Sequence, residues 1–142
     1  MTKWQVAIVV SIAAALSGCA NQTSTVLKAA SPVRVSYVSF QTLDSAKPLT
    51  EAAILRIPTE APRPMPAVVI VHGSSGVDSR GNFYATALNN AGIATLEIDM
   101  WSARGLAGGT ERPKGVPLTL PDAYGAFKLL AANPAIDAKR IG

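Results

Sequence analysis

Cysteine occurs once in this chain, at Cys19, and histidine once, at His72. A single thiol excludes an intrachain disulfide, and one Cys and one His do not make a zinc cluster, so no metal or other cofactor is expected. Charged residues are scarce at 15%, against 49% hydrophobic, which excludes a disordered chain. The net charge of +4 comes from Lys and Arg scattered singly, and aromatics are only 6%. Without a basic stripe interleaved with aromatics, nucleic acid is not an expected partner. No G-x-S-x-G or G-x-C-x-G occurs anywhere, and Gly73, Gly76 and Gly81 do not make the G-x-G-x-x-G of a dinucleotide site.

The one long apolar run, Trp4 to Leu16, is also too short to span a bilayer. As a helix it reaches about 20 Å, against roughly 30 Å of hydrocarbon. Preceded by Lys3, it reads as a secretory signal over residues 1–18. Leu16-Ser17-Gly18-Cys19 resembles a bacterial lipobox, which implies cleavage before Cys19 and lipidation of that residue. More than one acyl chain there is what stable membrane anchoring requires. An ordinary signal followed by a plain buried Cys is the competing reading. Ala20 stands where retention at the inner membrane favours Asp, so a lipid anchor in the outer membrane facing the periplasm is expected. Residues 19–32, small and polar, read as a flexible tether, and the folded part as 33–142.

Val33 to Phe40 alternates apolar and polar, as a half-exposed strand near a sheet edge does. Glu51 to Ile57 is a second strand candidate, followed by a proline-rich connection, Pro58 to Pro66, that cannot continue a ladder. Ala67 to Val71 is continuously apolar and β-branched, the pattern of a strand buried on both faces of a parallel sheet. It ends in His72-Gly73-Ser74-Ser75-Gly76, small residues whose backbone can turn sharply and approach a ligand closely. Loops at such carboxyl ends are where α/β proteins place their sites. Phe83, Tyr84, Ala87, Leu88 and Ala91 then fall at helical spacing, with Gly92 as the stop, and Ile93 to Ile98 is the next strand. Asp99 to Val116 is a long glycine-rich loop. Thr119 to Asp122 has the form of a capping box opening a helix that Asn133-Pro134 ends, and Arg140-Ile141-Gly142 opens another strand.

In order and spacing, AVVIVHGSSG (67–76), NNAGIATLEID (89–99), MWSARG (100–105) and PDAYGAFKLLAANPAIDAKRIG (121–142) resemble the α/β-hydrolase superfamily, most closely the dienelactone hydrolase family. The likeness covers most of residues 50–142 and about the first half of that family's catalytic domain. It implies a mostly parallel sheet with helices on both faces, broken off before the nucleophile elbow. The strand at 67–71 is then expected between the one at 93–98 and the one opening at Arg140, with a partner lost and an edge left open.

The resemblance also assigns roles. A Ser or Cys nucleophile, an acid and a His are expected beyond Gly142, so no catalytic residue is expected in this chain, which alone is expected to be inactive. His72 precedes every plausible nucleophile and does not fit the order Ser, Asp, His. The oxyanion side is what remains: the backbone N–H of Ser74, on a loop made with His72, Gly73, Ser75 and Gly76, with His72 bracing the loop. Asp99, Trp101 and Arg104 are candidates to line the pocket, with an ion pair or core packing as their other reading. Ser74 or Ser75 activated by His72 is a weaker alternative, lacking a third group to orient the base. The expected substrate is a small ester or lactone. The other class is a non-catalytic lipoprotein or binding module on the same half-fold.

Overall fold

The computed structural model describes residues 30–142. The expected signal peptide, Cys19 and the tether up to residue 29 lie outside the described residues. The two residues before the expected start of the fold are already attached to it. Ser31 N–H donates to Asn90 Oδ1 (3.1 Å), and the Pro32 carbonyl accepts from Thr59 N–H (2.9 Å).

Five strands and two α-helices follow: β1 (Val33–Gln41), β2 (Thr50–Pro58), β3 (Met65–Ile70), α1 (Ser79–Asn90), β4 (Ala94–Ile98), α2 (Leu120–Ala131) and β5 (Ile136–Ile141). They form one sheet in the order β1-β2-β4-β3-β5. β1 and β2 pair antiparallel, as do β2 and β4, while β3 lies parallel between β4 and β5. The α1 helix ends as its glycine suggests, with Gly92 at φ 78° and its N–H on the Asn89 carbonyl. The expected glycine loop also holds two short 3-10 turns, Ser102–Arg104 and Val116–Leu118. Among the described residues, no helix is long and apolar enough to cross a membrane.

Strand alternation divides the sheet into two faces. Thr95 and Glu97 of β4 turn towards α1, where Asn89 Nδ2 donates to Thr95 Oγ1 and Arg56 pairs with Glu97 at 2.9 Å. Ala94, Leu96 and Ile98 turn to the other face and join Phe40, Ala53, Ile57, Met65 and Ala67 under Ala126 and Leu130 of α2. The α2 backbone lies close on β1. A Cβ at Gly125 would stand 2.6 Å from the Gln41 carbonyl oxygen, so only glycine permits that approach.

Three expectations are corrected. β3 is not buried on both faces: Met65 and Ala67 are, but Val68 to Ile70 are half-buried and Val71 is 52% exposed. The α1 helix packs on β4 and β2, and beside β3 an open apolar cleft runs between Val69, Val71, Leu120, Tyr124 and Phe127. The central strand does not lose its partner either. β5 begins at Ile136, four positions before Arg140, and the Gly142 carbonyl accepts from Val69 N–H at 2.9 Å. Asp137, Lys139 and Arg140 hide the start of that strand, because a partly exposed strand at the sheet edge keeps polar side chains. Third, the capping box does not form. Thr119 Oγ1 donates back to the Val116 carbonyl, and the Asp122 carboxylate is taken by Arg104.

Candidate functional site

At the carboxyl end of β3 the chain turns through His72–Gly76, where Gly76 N–H donates to the Gly73 carbonyl at 3.1 Å. His72 has a side chain only 5% exposed, with Trp101 set edge-on at 4.8 Å between ring centroids. Both ring nitrogens are committed to backbone. Nδ1–H donates to the Gly73 carbonyl (2.8 Å), and Nε2 accepts from Met100 N–H (3.0 Å), which assigns the tautomer. No hydrogen bond joins the ring to the Ser74 or Ser75 hydroxyl among the described residues, so the geometry gives neither serine a base.

The Gly73 carbonyl is therefore held from two sides. Because the peptide unit is planar and trans, fixing that C=O fixes the Ser74 N–H in the opposite direction. Among the described residues the Ser74 N–H has no hydrogen-bond acceptor. The next carbonyl, that of Ser74, takes Trp101 Nε1–H (3.2 Å) and Gly109 N–H (2.7 Å). The loop is thus tied down by His72, Trp101 and Gly109, and presents one fixed, unspent donor.

The loop carrying that donor borders a mostly apolar pocket. Gly73 and Ser74 line an open pocket of ≈ 460 Å³, with Val71, Met100 and Trp101 on the sheet side. Val116 and Thr119, Leu120 and Ala123 at the start of α2 form the other side, and Arg112 is the one charged side chain lining it. Of the three residues expected at the pocket, Trp101 lines it and Asp99 and Arg104 do not.

Asp99 caps the turn that follows it. Its carboxylate accepts from the N–H groups of Trp101 and Ser102 and from the Ser102 hydroxyl, with His72 Nε2 at 3.9 Å. Partial burial alone raises this carboxyl, but the Ser102 hydroxyl and the two N–H groups outweigh burial and hold it below the usual range.

Arg104 turns inward, away from the pocket. Its Nη1 donates to the Met100 carbonyl (2.7 Å) and Glu51 Oε1 (2.9 Å), and its Nη2 to the Leu118 carbonyl (3.1 Å) and Asp122 Oδ1 (2.9 Å). The side chains of Glu51 and Asp122 are fully buried. Burial first, and repulsion from Asp122 second, push the Glu51 carboxyl up to about 7 against the hydrogen bond and charge of Arg104. Sequence reasoning did not pair these residues: Asp122 reads locally as a cap, and Glu51 as an ordinary strand residue. The available signal was an acid, Glu51, just ahead of the apolar run Ala52 to Leu55. Among the described residues, no three His, Cys, Asp or Glu side chains gather as metal ligands would.

No protein-family model matches the chain, and no curated protein does. Solved structures do match. A hypothetical protein from Pseudomonas aeruginosa is 25% identical at a TM-score of 0.59, covering 78% of this chain and 34% of its own. An alpha/beta hydrolase from Penicillium is 22% identical at 0.58, covering 76% and 36%. A dienelactone hydrolase-like promiscuous phosphotriesterase from metagenomic libraries is 18% identical at 0.52, covering 75% and 47%. The fold is that of the α/β hydrolases, dienelactone hydrolase-like members among them, and the chain spans between a third and a half of the length of these structures.

Proposed function

We propose that this chain supplies the oxyanion side of a carboxylic-ester hydrolase of the dienelactone hydrolase type, acting on small esters or lactones. The observation that carries the reading is the Ser74 N–H, held rigid by the ties on Gly73, without an acceptor, on a loop lining an apolar pocket. In acyl transfer negative charge develops on the carbonyl oxygen, and a preorganised donor stabilises it there without having to reorganise. The α/β-hydrolase fold supports the reading, because this loop position, at the carboxyl end of a central parallel strand, is where the fold places the first oxyanion donor. The nucleophile, its acid and its base are assigned to sequence following Gly142, in keeping with the share of the structural neighbours that the chain spans. His72 acts as the brace of the loop.

The protein carrying that following sequence is expected to hydrolyse a small activated ester and to lose the activity when its elbow Ser or Cys is replaced by Ala. Residues 1–142 alone are expected to show none, since the second oxyanion donor comes with the elbow. Turnover of the ester by the 142-residue chain, abolished in His72→Ala, would overturn the assignment.

A second part of the reading is location. The Leu16–Cys19 segment supports lipidation of Cys19 and an anchor in the cell envelope, placing the pocket outside the cytoplasm. Cys19→Ala is expected to move the protein from the membrane fraction to the soluble one and to remove palmitate label. Unchanged fractionation and labelling would end the lipoprotein reading.

A further inference from the structure

The ion cluster behind the pocket does not balance as three charged groups. Arg104 brings one positive charge to two carboxylates whose side chains are both 0% exposed. All four hydrogens on its two Nη atoms are spent, on the Met100 carbonyl, Glu51 Oε1, the Leu118 carbonyl and Asp122 Oδ1. Among the described residues Glu51 Oε2 is buried without a hydrogen-bond partner, and Asp122 Oδ2, although 2.9 Å from Arg104 Nη1, accepts no aligned hydrogen bond. Two fully buried carboxylates on one guanidinium, with acceptor oxygens left unmet, are costly in a protein interior. One proton placed between them satisfies both and brings the cluster to neutrality.

We propose that Glu51 is held in its acid form, donating Oε2–H to Asp122 Oδ2, and that this one proton fastens the pocket's outer wall through Arg104. The wall is the segment from Gly105 to Thr119. Gly109 N–H ties its near part to the Ser74 carbonyl, and the Arg104 guanidinium ties its far part to the sheet, gripping the Leu118 carbonyl while Glu51 of β2 and Asp122 of α2 grip the guanidinium. Removing the proton leaves two buried anions on one cation, and their repulsion forces the cluster open to water.

Among the described residues, no other ionisable group competes for the proton. From β1 the residue opposite Glu51 is Phe40, with Gln41 and Thr42 after it. On the β4 side the ladder ends with Ala53 opposite Ile98, and the following Asp99, whose N–H donates to the Ala52 carbonyl, has its carboxylate committed to Trp101 and Ser102. From the 3-10 turn it is Arg104, and from α2 it is Asp122, with Leu118 contributing only its carbonyl. The inference does not depend on the hydrolase reading, and its test uses no substrate.

The test takes the full chain, as wild type and as Glu51→Gln, which keeps a donor at that position but cannot ionise. Lys114, followed by Gly115, is an exposed tryptic site within the wall, whereas the Arg112–Pro113 bond resists trypsin. At pH 8, tryptic cleavage after Lys114 is expected to be several-fold slower in Glu51→Gln than in wild type. At pH 5.5, with a protease active there, the two proteins should be cut alike in this segment. Infrared difference spectra should show a protonated-carboxyl band in wild type near neutral pH that is missing from Glu51→Gln. Equal cleavage of the two proteins at pH 8, or a spectrum without that band at pH 5.5, overturns the proposal.

Discussion

Replacing Arg104 by Met is expected to destabilise the folded protein by about 3–5 kcal/mol, the usual cost of removing one partner from a buried ion cluster. Met fills much of the volume, so what is lost is the charge and the four hydrogen bonds that hold Glu51, Asp122, Met100 and Leu118 together. Urea unfolding of the protein measures the effect, and a change under 1 kcal/mol would show that the cluster rearranges without cost.

The wild-type protein should also carry a characteristic pH dependence. Glu51 has an ordinary value of 4.5 and a folded-state value of about 7, so the folded state binds the proton more tightly than the unfolded one. A raised value contributes stability that is complete below 4.5 and is lost as pH rises to about 7. At about 1.4 kcal/mol per pKa unit the upper bound is ~3 kcal/mol, and water reaching the cluster past Arg104 brings the expectation to roughly 2 kcal/mol. Glu51→Gln should flatten this part of the stability curve. An unfolding free energy that rises between pH 4.5 and pH 7 in wild type, once compared with Glu51→Gln, has the opposite sign and would contradict the account.

The second large effect is expected on chemistry. Gly108 has φ 87°, and a Cβ there would stand 2.9 Å from the Ser74 oxygen and from the Ser75 carbonyl carbon and oxygen. These are backbone atoms of the loop that presents the Ser74 N–H, so no side chain can swing aside to make room. Gly108→Ala must push either its own segment or the His72–Gly76 loop out of place. Displacing one oxyanion donor typically costs about 10²–10³-fold in kcat, with substrate binding little changed. That is the expected result for the completed protein on a small ester.

Gly109→Ala provides the control. Gly109 has a similar left-handed φ of 67°, but its Cβ would meet nothing within 4 Å. The backbone strain is comparable, on the order of 1–2 kcal/mol, without the collision. If both variants lose activity equally, strain and not the Ser74 loop is responsible, and the placement of the oxyanion donor fails.

The elements of this protein are legible in its sequence because they rest on local pattern. Alternation from Val33 to Phe40, the apolar run from Ala67 to Val71, the helical spacing from Phe83 to Ala91 and the stop at Gly92 each involve neighbours a few residues apart, and the strands and helices form where those patterns lie. The glycine loop at His72–Gly76 is legible in the same way, since small residues after a buried strand mark a sharp turn. The place of β3 between β4 and β5 was implied only by the resemblance to the α/β hydrolases.

The tertiary structure alone decided what side chains do across long separations. Arg104 meets Glu51 from 53 positions away and Asp122 from 18. Read locally, Asp122 is three residues from a hydroxyl and makes a good capping box. In the fold, a buried guanidinium is the stronger claim on its carboxylate, since a charge-assisted bond in a dry setting outweighs a single exposed cap. The same holds for His72, whose residue type permits proton transfer until Gly73 and Met100 take both its nitrogens. It holds for β3 as well, whose composition demands burial but whose neighbours α1 and α2 leave its carboxyl half partly open. Composition states what a segment needs, and only packing decides which partner meets that need.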